Sequence, residues 1–201
     1  MSRGLKSVAI FIAFAAIYTL SRHVTSSTTP RSTTTSGVVA ASTTTTTTTT
    51  SNTVTGTTCR GVDFQGVFNQ GQGAAGTIYA SVTLTKATAG QCTINGWPLL
   101  TLQDKNGTVL ALTQVNQPGA ASQVQFPANQ ANKASTTLVM QKGSVTNFSV
   151  AYSDVPTGAT ACADVVTISV QFRSGGTPTT VTPEYSIAPC DNGRMWVSPF
   201  Y

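Results

Sequence analysis

The sequence predicts an all-β sandwich behind an export segment, and three observations carry that prediction. Apolar side chains between residues 77 and 197 recur with the strand period rather than the helical one. Gly, Pro and Asn interrupt this part at short intervals, and no stretch of it sustains a helical pattern. All four cysteines, Cys59, Cys92, Cys162 and Cys190, fall after the Thr-rich tract that ends at Thr58. The expected architecture is an immunoglobulin-like or Greek-key sandwich of about eight or nine strands over residues 59–201. Those 143 residues of the 201-residue chain suffice for one core and not for two.

At the N-terminus, Met1–Ser7 carries Arg3 and Lys6, and Val8–Leu20 is apolar apart from Tyr18 and Thr19. These are the n-region and h-region of a secretory signal. Thirteen helical residues span about 20 Å, short of the roughly 30 Å hydrocarbon core, which favours a cleaved signal over residues 1–21 to a spanning anchor. If the segment stays uncleaved, Arg3 and Lys6 keep the N-terminus cytoplasmic and the rest outside. Membrane contact is expected through this segment alone. No cysteine follows the h-region before Cys59, which argues against a lipid-modified cysteine at the junction.

Residues 22–58 form a low-complexity stalk, mostly Ser and Thr from Thr25 onward, with an unbroken threonine run from Thr43 to Thr50. Such a stretch has no core to bury and resembles O-glycosylated spacers; extended, its last 34 residues reach on the order of 110 Å. A passive spacer is the plain reading. The sharper one makes Val38 and Val39 a donor strand for a neighbour's sheet edge.

In the folded part, Ile78, Ala80, Val82 and Leu84 alternate with Thr77, Tyr79, Ser81, Thr83 and Thr85, a strand with one buried face. Leu100 and Leu102 lead into Asp104-Lys105-Asn106-Gly107, with Leu110 and Leu112 beyond, which reads as a hairpin. Further strands are expected at Val124–Phe126, Leu138–Met140, Phe148–Tyr152 and Val166–Phe172, with weaker ones at Val181–Ile187 and Met195–Val197. Four cysteines in an exported chain suggest two disulfides among three possible pairings. Cys59 with Cys92 and Cys162 with Cys190 are favoured, because each joins an early or late strand to a near one without crossing the middle of the domain. A zinc site competes poorly, since there is no CxxC spacing and no histidine in this part.

Charge and side-chain inventory exclude several functions. The formal charge of +5 comes mainly from Arg3, Lys6, Arg22 and Arg31, whereas the folded part sets seven scattered cations against six acids. A phosphate-binding stripe needs clustered cations, so nucleic acid is not an expected partner. The single histidine, His23, lies beside the leader, which removes Ser-His-Asp and Cys-His triads from the domain. Asp104, Asp154 and Asp191 read as turn residues and Asp164 as a loop end, so no carboxylate pair for glycoside hydrolysis stands out. No cofactor or metal is expected.

Trp97, Trp196, Tyr79, Tyr152 and Tyr185 are candidates for an aromatic platform that stacks a sugar ring, with core packing the plainer role for most. Trp97 reads as a core residue near a disulfide. Trp196 alternates with Met195 and Val197; if those two point inward, Trp196 points to solvent as a ligand contact. Asn106-Gly107-Thr108 and Asn147-Phe148-Ser149 match the N-glycosylation pattern at Asn106 and Asn147.

Gly73-Ala74-Ala75-Gly76-Thr77 with Tyr79, Cys92-Thr93-Ile94-Asn95-Gly96-Trp97-Pro98, Cys162 before a strand, and Pro189-Cys190 leading to Val197-Ser198-Pro199-Phe200 occur in an order that resembles the domain of unknown function 4232 family. Its members are mostly exported or lipid-anchored actinobacterial proteins, often behind a Thr/Ser-rich spacer. The resemblance spans Cys59 to Tyr201 and implies an extracytoplasmic β-sandwich, with no activity or catalytic residues to carry over. The missing junction cysteine sets this chain apart from the lipid-anchored members.

The expectation is a non-catalytic exported cell-envelope or surface protein, secreted or envelope-associated, with a binding or structural sandwich on a flexible stalk. A cell-wall polymer or a surface protein is its expected partner. Two other classes stay open: a secreted hydrolase of envelope polymer, with Asp63 and Glu184 as the carboxylates to test, and a filament subunit assembling by strand addition.

Overall fold

A computed structural model describes residues 56–119, 124–158 and 161–201 of the chain. The leader at residues 1–21, the stalk up to residue 55 and the Val38–Val39 segment lie outside the described residues. Among the described residues, no helix is long and apolar enough to cross a membrane.

The described residues form an all-β sandwich of ten strands. In chain order they are β1 (Phe64–Ala74), β2 (Thr77–Lys86), β3 (Cys92–Ile94), β4 (Leu99–Gln103), β5 (Thr113–Asn116), β6 (Leu138–Met140), β7 (Val145–Ser153), β8 (Thr167–Gln171), β9 (Thr179–Val181) and β10 (Arg194–Val197). Five of them make the main sheet, in the order β1-β2-β7-β10-β5, antiparallel except for the β10–β5 pair. Smaller sheets, β3-β6 and β4-β8-β9, contribute to the same core.

The period-two pattern explains the packing. In β2 and β7 the even-numbered residues Val82, Leu84, Phe148, Val150 and Tyr152 point inward and are buried. They meet Leu100 and Leu102 of β4, Ile168 and Val170 of β8 and Ile94 of β3. Four phenylalanines run through this core: Phe64 contacts Phe172 at 4.8 Å, Phe172 contacts Phe200 at 5.3 Å, and Phe148 meets Phe200 edge-on at 5.8 Å. Lys86 is buried too, with its Nζ donating to the carbonyl and hydroxyl of Thr88 and lying 5.8 Å from the Phe64 ring centroid. Disulfides join Cys59 to Cys92 and Cys162 to Cys190, the favoured pairings.

Several elements differ from expectation. Strand β1, eleven residues long, was not expected, because Gly66, Gly71 and Gly73 break its apolar alternation. Gly66 stands where a Cβ would press on Val181 and Leu84, so the glycine lets β9 approach β1. The Leu100–Leu112 hairpin forms its turn, with Asp104 N–H donating to Thr108 O and Leu110 N–H to Leu102 O. Its return leg makes one bridge, Gln103 to Val109, before the chain crosses to the main sheet as β5. The late strand is confined to Thr179–Val181, and Ile187 makes an isolated bridge with Val165.

Val124–Phe126 is not a strand but part of a cover on the outer face of the main sheet. Val124, Phe126 and Ala131 pack there with Ala151 of β7 and with the half-buried Tyr79, Trp196 and Tyr201. Asn132 holds the cover closed: its Oδ1 accepts from Phe126 N–H at 2.8 Å, and its Nδ2 donates to the carbonyls of Phe126 at 2.7 Å and Ala128 at 3.3 Å. Asn132→Ala is therefore expected to destabilise the domain by about 1–3 kcal/mol, since it leaves the Phe126 backbone groups unpaired. Acrylamide quenching of Trp196, read with Trp97 replaced by Phe, should rise in the same variant; unchanged quenching would place the hold of the cover elsewhere.

Candidate functional site

On the outer face of the main sheet the odd-numbered residues of β2, β7 and β1 up to Asn69 project away from the core, so the register decides which side chains become neighbours. Asn69 pairs with Ser81, Ser81 with Ser149, and Thr83 with Asn147. The cover lies over the Tyr79, Ala151 and Trp196 end of this face and leaves the rest open. At the boundary is a cleft of about 220 Å³. Strand β1 lines it with Asn69, Gln70 and Gly71, β2 with Tyr79 and Ser81, β7 with Ser149, the cover with Pro127 and Ala128, and the chain end with Tyr201.

A bulge in β1 shapes one wall. The register shifts between Asn69 and Gln72, so Gln70 and Gly71 stand against Ala80 alone. A Cβ on Gly71 would overlap the Tyr79 carbonyl, so this close crossing of β1 over β2 requires glycine. Across the sheet, Tyr201 exchanges backbone hydrogen bonds with Asn147 in both directions at 2.9 Å. Its phenol oxygen lies 2.9 Å from Ser149 Oγ.

A directed hydrogen-bond row crosses three strands beside the cleft. Asn69 Nδ2 donates to Thr83 Oγ1 at 2.8 Å and to Ser81 Oγ at 3.3 Å, and Thr83 Oγ1 donates to Asn147 Oδ1 at 2.7 Å. Asn69 Oδ1 at one end and Asn147 Nδ2 at the other have no partner among the described residues. An acceptor and a donor thus stand at the two ends of the row, on opposite sides of Thr83. None of the residues lining the cleft carries a charged side chain. A second concavity, of about 480 Å³, is walled only by the surface turns at Ala89–Gln91 and Gln141–Lys142.

The carboxylates lie elsewhere. Asp104 is held below its ordinary value of 3.8, first by the Thr108 backbone N–H and also by that of Asn106. Asp191 is lowered chiefly by the Thr157 hydroxyl, at 2.7 Å, and by the Thr157 backbone N–H. Asp104 closes its own turn, as the sequence suggested, whereas Asp191 ties the Thr157 loop to the segment after Cys190. Such groups add stability above their unfolded value, which is lost as the pH falls through the lowered one. Asp63 accepts from the Thr88 hydroxyl at 3.0 Å, and Glu184 is exposed in the loop after β9. Among the described residues, no three His, Cys, Asp or Glu side chains gather as a metal site.

Of the aromatic candidates, the cleft contains only Tyr79. Tyr152 belongs to the core, Tyr185 is exposed in a loop, and Trp97 is half-buried with its indole N–H donating to Gln117 O at 2.6 Å. Trp196 lies opposite the buried Met195 and Val197, but the cover packs against it, so it does not stand free in solvent as expected and does not line the cleft. Asn106 stands at the exposed turn, whereas Asn147 is half-buried on β7 and accepts the Thr83 bond. No sequence motif marks Asn69, Ser81, Thr83, Ser149 or Tyr201; only the polar positions of the β2 alternation point to part of this set.

A disulfide-stapled sandwich with an uncharged cleft on its outer sheet face is the class that fold and site define. The chain belongs to the family described as domain of unknown function (DUF4232), which matches residues 59–201. No curated protein and no solved structure matches it.

One titration follows from the core. Burial, and secondarily the nearby Asp154 charge, pushes the Tyr152 phenol up to about 12 from its ordinary 10. The unfolded chain then loses this proton first, so the stability contributed below pH 10 is lost as the pH rises through about 12. Melting temperatures over that interval should fall less steeply for Tyr152→Phe than for the native chain; parallel curves would refute the assignment.

Proposed function

We propose that this protein is an exported, non-catalytic cell-envelope or surface protein whose sandwich binds a partner while the Ser/Thr-rich stalk holds it away from the membrane. The pairing of all four cysteines carries the reading, because disulfides suit an oxidising, extracytoplasmic compartment and the domain follows an apolar leader. The side-chain chemistry agrees with binding rather than turnover. Asp104 and Asp191 are occupied by backbone and hydroxyl hydrogen bonds, and the cleft offers amides, hydroxyls and tyrosines.

Fractionation of cells expressing the full chain, with thiol labelling and co-sedimentation against purified wall material, tests this proposal. The expected result is an extracytoplasmic protein that reacts with maleimide only after reduction and pellets saturably with the wall. A cytoplasmic protein with four reactive thiols would overturn it, and concentration-dependent polymers without wall binding would favour strand addition instead. Replacing Cys59 and Cys92 together by Ala should lower the unfolding free energy by about 3–4 kcal/mol in a denaturant titration, because the bond closes a loop with a separation of 33 residues.

A further inference from the structure

We infer that the outer-face cleft and the adjoining Asn69–Thr83–Asn147 row form a recognition site for a neutral, hydroxyl-rich glycan. This inference rests on the domain being a binding module and names the chemistry of its ligand. Thr83 has one hydroxyl proton, which it donates to Asn147 while accepting from Asn69, so the row is directed and both terminal amides are held in place. Asn69 Oδ1 then offers an acceptor and Asn147 Nδ2 a donor, on opposite sides of Thr83.

A sugar hydroxyl is both donor and acceptor, and a chain of such hydroxyls can satisfy both ends of the row at once. Beside the row, the Ser81 and Tyr201 hydroxyls line the cleft and add partners of the same dual kind, with the buried Ser149 holding the Tyr201 hydroxyl in place. Tyr79 and Tyr201 supply apolar ring surface beside polar groups, which suits a pyranose with C–H faces and O–H edges.

Charge removes the main competitors. An anionic polymer or a phosphate would require cations, and the cleft lining contains none. A lipid or an amphipathic helix would require a continuous apolar groove, whereas Asn69, Ser81 and Ser149 interrupt this one. The site is also rigid: it lies on three paired strands, with one wall fixed by the Gly71 crossing.

The test uses the oxidised full chain and soluble neutral polysaccharides as probes: an α-glucan, a β-glucan and a galactan, with polygalacturonate as the charged counterpart of the last. The expected result is saturable binding to at least one neutral polymer, little changed by added salt. Binding should weaken roughly five- to tenfold in Asn69→Ala and in the near-isosteric Thr83→Val, each of which removes one end or the middle of the row, and persist in Lys142→Ala. Thermal melts of the variants keep a folding defect separate from a binding one. Binding that ignores both row variants, or that requires the charged polymer, would overturn the inference. Failure on every neutral polymer while the chain still pellets with wall material would overturn it too and leave the binding-module reading standing. Failure of both assays would remove that reading as well.

Discussion

The antiparallel register between β2 and β7, from Thr77 against Ser153 to Thr85 against Val145, is the constraint on which the rest of the structure depends. Because side chains alternate strictly along a strand, this one alignment assigns Phe148 and Val150 to the core and Asn147 and Ser149 to the outer face. A slip of one residue in β7 would exchange the two sets, burying amide and hydroxyl groups without partners and exposing a phenylalanine. The phenylalanine contacts from Phe148 through Phe200 and Phe172 to Phe64 can form in one register only, so core packing and site geometry are specified together.

The outer face has two halves for a physical reason. Where Ala151 and Trp196 lie side by side, the face is apolar and needs a cover, which Val124, Phe126 and Ala131 provide. Where Asn69, Ser81, Thr83 and Asn147 lie, the side chains bond one another across the strands and tolerate water. The cleft is the seam between these halves. Its floor is regular sheet, and its irregular parts are the β1 bulge and the edge of a cover held shut by Asn132.

How much of this was legible in the sequence varied with the kind of signal. Strand β2 could be read directly, since Ile78 to Leu84 keeps its alternation without a break. The cysteine pairing could also be read, because chain proximity limited the geometries worth considering. Strand β1 could not, because its glycines serve close approaches that no local pattern announces, Gly66 to the distant Val181 and Gly71 to the Tyr79 carbonyl on the neighbouring strand. Val124 and Phe126 have strand spacing, yet the Phe126 backbone bonds go to the Asn132 side chain, and a short apolar alternation does not distinguish those outcomes. The face of Trp196 followed from its neighbours, while its cover came from elsewhere in the chain. The cleft was the least legible part: its polar groups come from β1, β2, β7 and the chain end, and none of them is charged or belongs to a motif.

The central claim is that ligand recognition occurs on this seam, and nuclear magnetic resonance mapping of the full chain during titration with a neutral wall polysaccharide tests it most directly. The account predicts that the Asn147 side-chain amide shifts most, together with Asn69, Ser81, Thr83, Ser149 and Tyr201, while Tyr185 and the Lys142 turn stay unchanged. Shifts centred on the Lys142 concavity or on Tyr185, with the Asn147 amide unmoved, would contradict it.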